Sequence, residues 1–263
     1  MRLAIHGAAG RMGKRLVALG TQDPDLSLVA AVEHSGCPLL GQDSGTVAGV
    51  EATGVPLASS WPADIEVAID FSSPAGCAAA VKYCVNAGVP LVVATTGMDD
   101  AGMAEVQEAA KTIPVCWAPN MSLAVNLTMK LAQQAAGALK DVPQGTDVEI
   151  LERHHRFKED APSGTALKFG ELIANEMRLE QQAHGRSGQT GVRPRNEIGY
   201  HAIRTGDDPG QHTIVFGMLG ETIELRVAAS NRDCYASGAL VAAKFLATQP
   251  VGMYNMFDVL GMS

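Results

Sequence analysis

Residues Glu152 to Ala166 read E-R-H-H-R-F-K-E-D-A-P-S-G-T-A and combine adjacent histidines, several formal charges and a Pro-Ser-Gly turn in one short stretch. Charged side chains are costly to bury without partners, so the stretch is either a solvated loop or a site that uses its charges. Histidine gains and loses a proton near neutral pH, and a nearby lysine adds a second proton-bearing group. Proton transfer to an anionic ligand is the chemistry that these residue types favour.

The spacing lets His154 and Lys158 act on one ligand in either of two local structures. In a strand, alternate side chains share a face, so His154 and Lys158 point one way and His155 points the other way. In a helical turn, residues four apart lie on the same side. The alternative is a charged surface loop, because runs of charge are usually solvated.

The Pro-Ser-Gly-Thr turn predicts the start of a helix with Ser163 as its N-cap. Gly164 and Thr165 would then present backbone N–H groups that the first helical turn leaves without partners, and such groups bind carboxylates and phosphates. A zinc site needs more ligands than an adjacent histidine pair, and the H-E-x-x-H pattern is absent, so no metal is expected. Ser163 is not part of a G-x-S-x-G turn, which argues against a nucleophilic role.

A second candidate site lies at residues 7–13, which read G-A-A-G-R-M-G between an apolar run and a segment with helical spacing. Glycines there allow a tight turn and let the backbone approach a pyrophosphate at the positive end of a helix. The spacing differs from the usual G-x-G-x-x-G, and a tight turn without a ligand is the alternative. Glu33 ends the second predicted strand, where an acidic side chain accepts a hydrogen bond from a ribose. D-F-S-S-P from Asp70 and A-T-T-G from Ala94 also follow predicted strands, at the edge where open α/β sheets bind ligands, so a dinucleotide is the predicted ligand.

The elements that must position these residues alternate in the first half of the chain. Strands are predicted at residues 2–5, 26–32, 67–69, 91–94 and 115–117, and helices at 11–19, 74–87 and 99–111. This alternation indicates right-handed βαβ units and a parallel sheet. The predicted fold class is α/β, with a Rossmann-type doubly wound parallel sheet and a second α+β domain for substrate binding and oligomerisation.

The second half has a different pattern. A helix at 122–139, a strand at 147–151 and a helix at 163–177 precede strand-like segments at 197–204, 213–218 and 222–229, and a final helix is predicted at 236–246. Short connections between the three later strands predict antiparallel pairing. We therefore expect a dinucleotide-binding domain at 1–122, completed by 233–263, and a substrate-binding and tetramerisation domain at 123–232.

Composition narrows the possible partners. The formal net charge of the 263-residue chain is −8, so a general basic surface for nucleic acid is not expected. Its five cysteines form no C-x-x-C pair and are expected to be reduced thiols that pack as small apolar residues. No apolar run is long enough to span a membrane, and a glycine turn interrupts the N-terminus too early for a signal peptide. A cytoplasmic protein without nucleic-acid or membrane partners is the expectation.

Taken together, G-A-A-G-R-M-G, D-F-S-S-P, A-T-T-G, A-P-N-M-S and the H-H-x-x-K-x-D-x-P-S-G-T segment resemble the dihydrodipicolinate reductase (4-hydroxy-tetrahydrodipicolinate reductase) family of bacterial lysine and diaminopimelate synthesis. The similarity extends from Met1 to the C-terminal F-D-V-L. It implies NAD(P)H-dependent reduction of the cyclic dicarboxylate 4-hydroxy-tetrahydrodipicolinate to tetrahydrodipicolinate. It also implies a cytoplasmic homotetramer whose second domain forms the subunit contacts.

The resemblance also implies roles for individual residues. His154 would be the proton donor and acceptor, and Lys158 a second proton donor. The residues implied in substrate binding are His155, Ser163, Gly164 and Thr165. Those implied in cofactor binding are Gly7, Ala8, Ala9, Gly10, Arg11 and Met12 for the pyrophosphate, Glu33 and the neighbouring His34 for the adenosine ribose, and Ala94, Thr95, Thr96, Ala118, Pro119, Asn120 and Met121 on the nicotinamide side.

Three departures from the family pattern concern the cofactor. His34 stands where many members carry an arginine for the 2′-phosphate of NADP, Ala94 replaces a common glycine, and Met121 replaces a common phenylalanine. Use of both NADH and NADPH, with NADH preferred, is therefore expected, although Arg11 and Lys14 supply some positive charge. Another imine reductase on the same scaffold and a non-catalytic dinucleotide-binding sensor are the alternatives. A sensor does not require both proton-transfer residues.

Overall fold

The computed structural model describes residues 1–262 and contains two compact units. The first comprises Met1–Leu123 together with the chain from Arg232 onward, and the second comprises Ala124–Asn231. The described strands are β1 Arg2–His6, β2 Ser27–Val32, β3 Leu57–Ala58, β4 Val67–Asp70, β5 Leu91–Val93, β6 Pro114–Trp117, β7 Asp147–His154, β8 Gln181–His184, β9 Glu197–Arg204, β10 Gln211–Met218, β11 Glu221–Ala228 and β12 Gly252–Tyr254. The described helices are α1 Arg11–Gly20, α2 Ser44–Ala48, α3 Pro74–Ala87, α4 Asp100–Ala109, α5 Leu123–Leu139, α6 Gly164–Met177, α7 Asp233–Leu246 and α8 Met256–Val259.

The first unit is built on a seven-stranded parallel sheet in the order β12-β6-β5-β4-β1-β2-β3. Its central strands are buried on both faces, as their continuous runs of Val, Ile, Leu and Ala require. One apolar cluster includes residues of α1 and α7, and the other includes residues of α3 and α4. This sheet and the second α+β unit confirm the predicted fold class.

Local capping explains where the helices of this unit begin and end. The side chains of Ser73 and Asp99 accept hydrogen bonds from backbone N–H groups at the starts of α3 and α4. Pro74 occupies the first turn of α3, and Gly88 ends that helix in the left-handed conformation.

Four elements of this unit were not predicted, because each is too short to show a clear hydrophobic period; they are α2, β3, β12 and α8.

The five-stranded sheet of the second unit differs from its prediction. Its order is β11-β10-β7-β9-β8, and β10 forms the predicted antiparallel hairpin with β11. The prediction that β9 also pairs in antiparallel fashion is wrong, because β7 lies between β9 and β10 and runs parallel to β9. Residues 205–210 connect β9 to β10 past the end of β7, where Thr205 N–H donates to the His154 carbonyl and His155 N–H donates to the Asp208 carbonyl.

One face of this sheet is covered by α6. Phe169 of α6 contacts the ring of His212 on β10, and Gly170 lies so close to Tyr200 of β9 that any Cβ would overlap the phenol. The alternating pattern of β7 and β10 places their buried residues on this face. β7 extends to His154 rather than ending at Leu151, and this brings the histidine into the sheet.

The cysteines behave as predicted for small apolar residues. All five are reduced thiols; Cys37, Cys77, Cys84 and Cys116 are buried, and Cys234 is half-buried. Burial raises the pKa of Cys84 and of Cys116 to about 12 and raises that of Cys77 further.

Candidate functional site

The turn at residues 7–13 of the first unit requires glycine for steric reasons. Gly7 has φ +77°, and a Cβ there would stand 2.6 Å from the carbonyl oxygen of Phe71. A Cβ at Gly13 would overlap the carbonyl oxygen of Gly7, so α1 can approach the turn this closely only without a side chain. Gly10 precedes α1, and no side chain of residues 1–262 caps the helix. The arrangement leaves the first turn of α1 suited to an anion such as a pyrophosphate.

Glu33 is joined to this turn directly. Its Oε1 accepts a hydrogen bond of 2.8 Å from the N–H of Ala9, and the residue follows β2, the neighbour of β1. His34 and Arg11 are exposed beside these segments. The structure thus brings together the residues predicted for the pyrophosphate and the adenosine ribose.

A buried polar network ties the next strands together at the same edge. The carboxylate of Asp70, which has no exposed surface, accepts hydrogen bonds from the Thr95 hydroxyl at 2.6 Å and the Ser72 hydroxyl at 2.6 Å. His6 Nδ1 donates to the same carboxylate at 2.7 Å, and Ser72 N–H donates to the Thr95 hydroxyl. Thr95 is therefore occupied inside the protein, whereas Thr96 is exposed. The roles of His6 and Ser72 were not predicted.

The segment after β6 provides the last part of this edge. Ala118 is buried, Pro119 is exposed, and Asn120 Oδ1 accepts a hydrogen bond from Ser122 N–H. The Met121 side chain packs within the apolar core and not at the sheet edge, where it was predicted to contact the cofactor. Since β1, β2, β4, β5 and β6 are parallel neighbours, their carboxyl ends share one edge, the usual ligand-binding edge of such sheets.

In the second unit the central group is Glu152, whose side chain has no exposed surface. Its Oε2 accepts a hydrogen bond from His154 Nδ1 at 2.6 Å, and its Oε1 accepts one from Ser163 N–H at 3.1 Å. The two terminal nitrogens of Arg204 donate to the same carboxylate at 2.8 and 2.7 Å. One carboxylate therefore connects β7, β9 and the start of α6.

The local environment sets the protonation of this pair. Burial lowers the pKa of His154, the hydrogen bond to Glu152 opposes that effect, and the net pKa lies below the ordinary value. Burial alone would raise the pKa of Glu152, but the hydrogen bonds from Arg204 and His154 outweigh it and lower the net pKa. Glu152 is thus a carboxylate that can only accept hydrogen bonds, and Nδ1 of His154 carries the proton that it donates.

Ser163 and His212 complete the buried part of the site. Ser163 is the N-cap of α6, as predicted, because its hydroxyl accepts a hydrogen bond from Ala166 N–H. The same hydroxyl lies 3.0 Å from Nε2 of His212, whose ring meets that of His154 edge-on with centroids 5.3 Å apart. Burial, followed by the charge of His154, lowers the pKa of His212 to about 4. His212 was not predicted, because it comes from a strand that is distant in the sequence.

The remaining predicted residues lie around this centre. Lys158 Nζ donates to both carboxylate oxygens of Asp160, at 2.7 and 2.9 Å, and its charge helps to lower the pKa of His154. His155 Nδ1 is buried and makes no hydrogen bond within residues 1–262. Gly164 is exposed, with open space where a Cβ would stand, and Thr165 is half-buried. The start of α6 therefore places backbone N–H groups beside Glu152, the carboxylate that accepts a hydrogen bond from His154.

Two family models match this chain and show the family to which it belongs. The family model described as dihydrodipicolinate reductase, N-terminus, matches residues 1–121, and the model for the C-terminus matches residues 124–260. The chain belongs to the dihydrodipicolinate reductase family.

Individual members of the dihydrodipicolinate reductase family are similar over their whole length. The 4-hydroxy-tetrahydrodipicolinate reductase of Rhodopirellula baltica is 62% identical, covering 99% of this chain and 96% of the relative. That of Cupriavidus pinatubonensis is 44% identical over 100% of both chains. The solved structure of dipicolinate-bound dihydrodipicolinate reductase from Paenisporosarcina sp. TG-14 is 25% identical, covers 98% of each chain and gives a TM-score of 0.78. A probable dehydrogenase from Thermotoga maritima (11% identical, 100% and 93% covered) shares the fold with a TM-score of 0.62.

As a member of the dihydrodipicolinate reductase family, the chain is an oxidoreductase that uses NAD(P)H. The glycine turn lets the backbone approach a pyrophosphate at the start of α1, and Glu33 offers an acceptor to a ribose hydroxyl, so these residues fit a dinucleotide. Within residues 1–262 no cluster of three or more His, Cys, Asp or Glu side chains has the geometry of a metal site. Among the helices of that range, none is both long and apolar enough to cross a membrane.

Proposed function

We propose that the chain reduces 4-hydroxy-tetrahydrodipicolinate to tetrahydrodipicolinate with NAD(P)H, in the synthesis of lysine and diaminopimelate. The observation that carries this proposal is the placement of His154 and the start of α6 on one buried carboxylate, Glu152. The reaction needs a proton donor and a site for an anionic substrate. This arrangement supplies both.

The proton step is assigned to the imidazole of His154. In the reaction the hydroxylated ring loses water, bound NAD(P)H supplies the hydride, and the enzyme supplies one proton. Because Nδ1 of His154 donates to Glu152, Nε2 is the nitrogen that gains the proton from solvent and passes it to the ring. A pKa below the ordinary value makes the protonated imidazole a stronger acid. Lys158 is a second proton-bearing group beside it.

The substrate carboxylates are assigned to two sets of donors. The N–H groups of Gly164 and Thr165 bind one carboxylate at the start of α6, where the helix dipole favours an anion. Lys158 and His155 bind the other. Lys158 is held by Asp160, whose side chain is 61% exposed, so a substrate carboxylate replaces a solvated partner at small cost. The buried Nδ1 of His155, which has no partner within the described chain, gains one from the substrate.

The first unit is assigned to the cofactor, with the pyrophosphate at the glycine turn and the start of α1 and the adenosine ribose on Glu33. NADH is the preferred cofactor because Glu33 accepts a hydrogen bond from a ribose hydroxyl but repels a 2′-phosphate. The neighbouring His34 lacks the fork of an arginine that would offset this repulsion. No metal is assigned to the reaction, so chelator treatment should leave turnover unchanged.

The second unit is also assigned to the subunit contacts of a cytoplasmic homotetramer. The sheet face opposite α6 carries Leu151, 37% exposed, and Ile203, 47% exposed, beside the half-buried Val215. Exposed apolar side chains on a sheet face favour a protein interface. Sedimentation equilibrium of the purified chain measures the mass, and a monomer at micromolar concentration would reject the tetramer.

The function is tested by supplying the substrate from the condensing enzyme that precedes it and following the loss of NAD(P)H absorbance. Turnover with either cofactor is the expected result, and the product is identified by mass spectrometry. Binding of NADH without turnover would favour the sensor alternative. Reduction of other cyclic imines in preference to this substrate would favour the other enzyme.

A further inference from the structure

Every acceptor position of the Glu152 carboxylate is used inside the protein. A carboxylate offers about four lone-pair sites, and Glu152 receives hydrogen bonds from His154, from Ser163 and from both terminal nitrogens of Arg204. Its side chain is fully buried. Glu152 has therefore no capacity left for substrate, and its function must be exerted through the groups that it holds.

The first of these groups is the imidazole of His154. Since Glu152 can only accept, it selects the tautomer with the proton on Nδ1 and fixes the plane of the ring. The other ring nitrogen, Nε2, faces Gly210, where a Cβ would stand only 2.8 Å away. Because Gly210 has no side chain, no Cβ fills the space beside this nitrogen.

The second group is the start of α6. Oε1 of Glu152 accepts from Ser163 N–H, one residue before Gly164, so the carboxylate also fixes the helix start that binds a substrate carboxylate. Arg204 extends the connection, because its Nη2 donates to the carbonyl oxygen of Asp160 in the loop that carries Lys158. Glu152 thus holds His154 and the start of α6 directly, and it holds the loop that carries Lys158 through Arg204.

We propose that Glu152 is the positioning residue of this site, that it holds Nε2 of His154 ready for proton transfer at a fixed place relative to the start of α6, and that Arg204 is its counter-ion. This inference rests on the proposed role of His154 in catalysis. It assigns no contact between Glu152 and the substrate. Its consequences appear in the tautomer of His154 and in the pH profile.

The charged and titratable groups that face His154 set the direction of those consequences. They are Glu152 on its own strand, Lys158 in the following loop, Arg204 on β9 and His212 on β10. Glu152 raises the pKa of His154, whereas Lys158 and Arg204 lower it. Glu152→Gln should therefore move the pH limb that reports His154 to lower pH, and Arg204→Gln should move it to higher pH.

Glu149 provides a matched control on the same strand. It also binds a histidine, His201, at 2.7 Å and two arginines, Arg186 and Arg193, but on the opposite face of the sheet. Glu149→Gln thus removes a comparable ion-pair cluster without touching His154. It should leave both the tautomer of His154 and the pH profile unchanged.

The experiment combines kinetics with 15N NMR of the imidazole nitrogens, the His154 signals being assigned by their loss in His154→Gln. In the wild type we expect Nδ1 to be the protonated nitrogen of the neutral ring. In Glu152→Gln this preference should be lost, kcat should fall roughly 100-fold, and KM for the dicarboxylate should rise because the helix start is loosened. Arg204→Gln should keep the tautomer and shift the pH profile, and it should also raise KM because the loop that carries Lys158 loses its contact at the Asp160 carbonyl.

A neutral His154 protonated on Nε2 in the wild type would overturn the proposal without any variant at Glu152, and therefore even if Glu152→Gln fails to fold. An unchanged tautomer and pH profile in a folded Glu152→Gln would overturn it as well. Full activity of His154→Gln would instead reject the catalytic role of His154. The NMR result would then still decide whether Glu152 positions the ring.

Discussion

His6 and Asp70 are joined by a hydrogen bond of 2.7 Å between adjacent strands of the parallel sheet, and both side chains are almost completely buried. The bond lies at the carboxyl ends of β1 and β4, beside the glycine turn. It links the first strand of the chain to the Thr95 loop through a single carboxylate. This edge of the sheet, which is proposed to bind the cofactor, is therefore stabilised by side-chain hydrogen bonds as well as by the backbone pairing of the strands.

We expect His6→Ala to destabilise the first unit by roughly 2–4 kcal/mol, since it leaves a cavity and removes a donor from a buried carboxylate. Urea unfolding followed by tryptophan fluorescence measures the effect, because Trp61 packs against His6 with ring centroids 5.3 Å apart. The control is His201→Ala in the second unit, followed by far-UV circular dichroism because both tryptophans lie in the first unit; it breaks a histidine–carboxylate pair whose histidine is 33% exposed and should cost about 1 kcal/mol or less. Equal losses in the two variants would contradict the importance of burial.

The two adjacent histidines should differ in their kinetic effects. His154→Gln should lower kcat roughly 10²- to 10³-fold with a modest change in KM, because it removes the proposed general acid. His155→Ala should mainly raise KM, because its effect is on substrate binding in both ground and transition states. Steady-state kinetics of the two variants separate these roles, and a pure kcat effect at His155 would reverse the assignment.

The choice of cofactor should respond to a single exposed residue. His34→Arg should raise kcat/KM for NADPH more than for NADH, because an arginine beside Glu33 offers a bidentate partner to the 2′-phosphate. The measurement is kcat/KM for both cofactors in the wild type and the variant. A strong preference of the wild type for NADPH, unchanged in His34→Arg, would instead assign the choice to Arg11 and Lys14 of α1.

His212 should make the second unit sensitive to mild acid. Its folded-state pKa of about 4 lies below the ordinary 6.5, so the unfolded chain binds more protons between these values and stability falls as pH drops through that window. The loss from this residue amounts to roughly 3 kcal/mol when complete. His154, whose pKa is also lowered, acts in the same direction, whereas Glu149, with a pKa of about 2, acts at lower pH.

The test compares the pH dependence of unfolding in the wild type and in His212→Gln, which cannot titrate but can still hydrogen-bond Ser163. The slope between pH 4 and 6.5 should become shallower in the variant. His184→Gln is the control, because His184 is an exposed histidine of the same unit. Parallel slopes for the wild type and His212→Gln would contradict the burial argument.

How far the sequence predicts this structure depends on whether a feature is local. Ser163 as N-cap and the parallel sheet followed from residue patterns, because capping and hydrophobic periodicity act over a few neighbours. The position of β7 between β9 and β10 was missed, because short connections do not reveal that a loop passes a third strand. Glu152 was visible only as one charge in a charged stretch. Its role depends on Arg204, which the fold brings from far along the chain.

The buried thiols have a practical consequence for labelling chemistry. Alkylating reagents react with the thiolate, and pKa values of about 12 for Cys84 and Cys116 leave almost none of it at neutral pH. Cys77 is suppressed further, and the pKa of the half-buried Cys234 is also raised by burial. A cysteine introduced on the surface would therefore react well ahead of these four natural thiols, so a dye or spin label could be attached there selectively once Cys37, the fifth cysteine, is replaced.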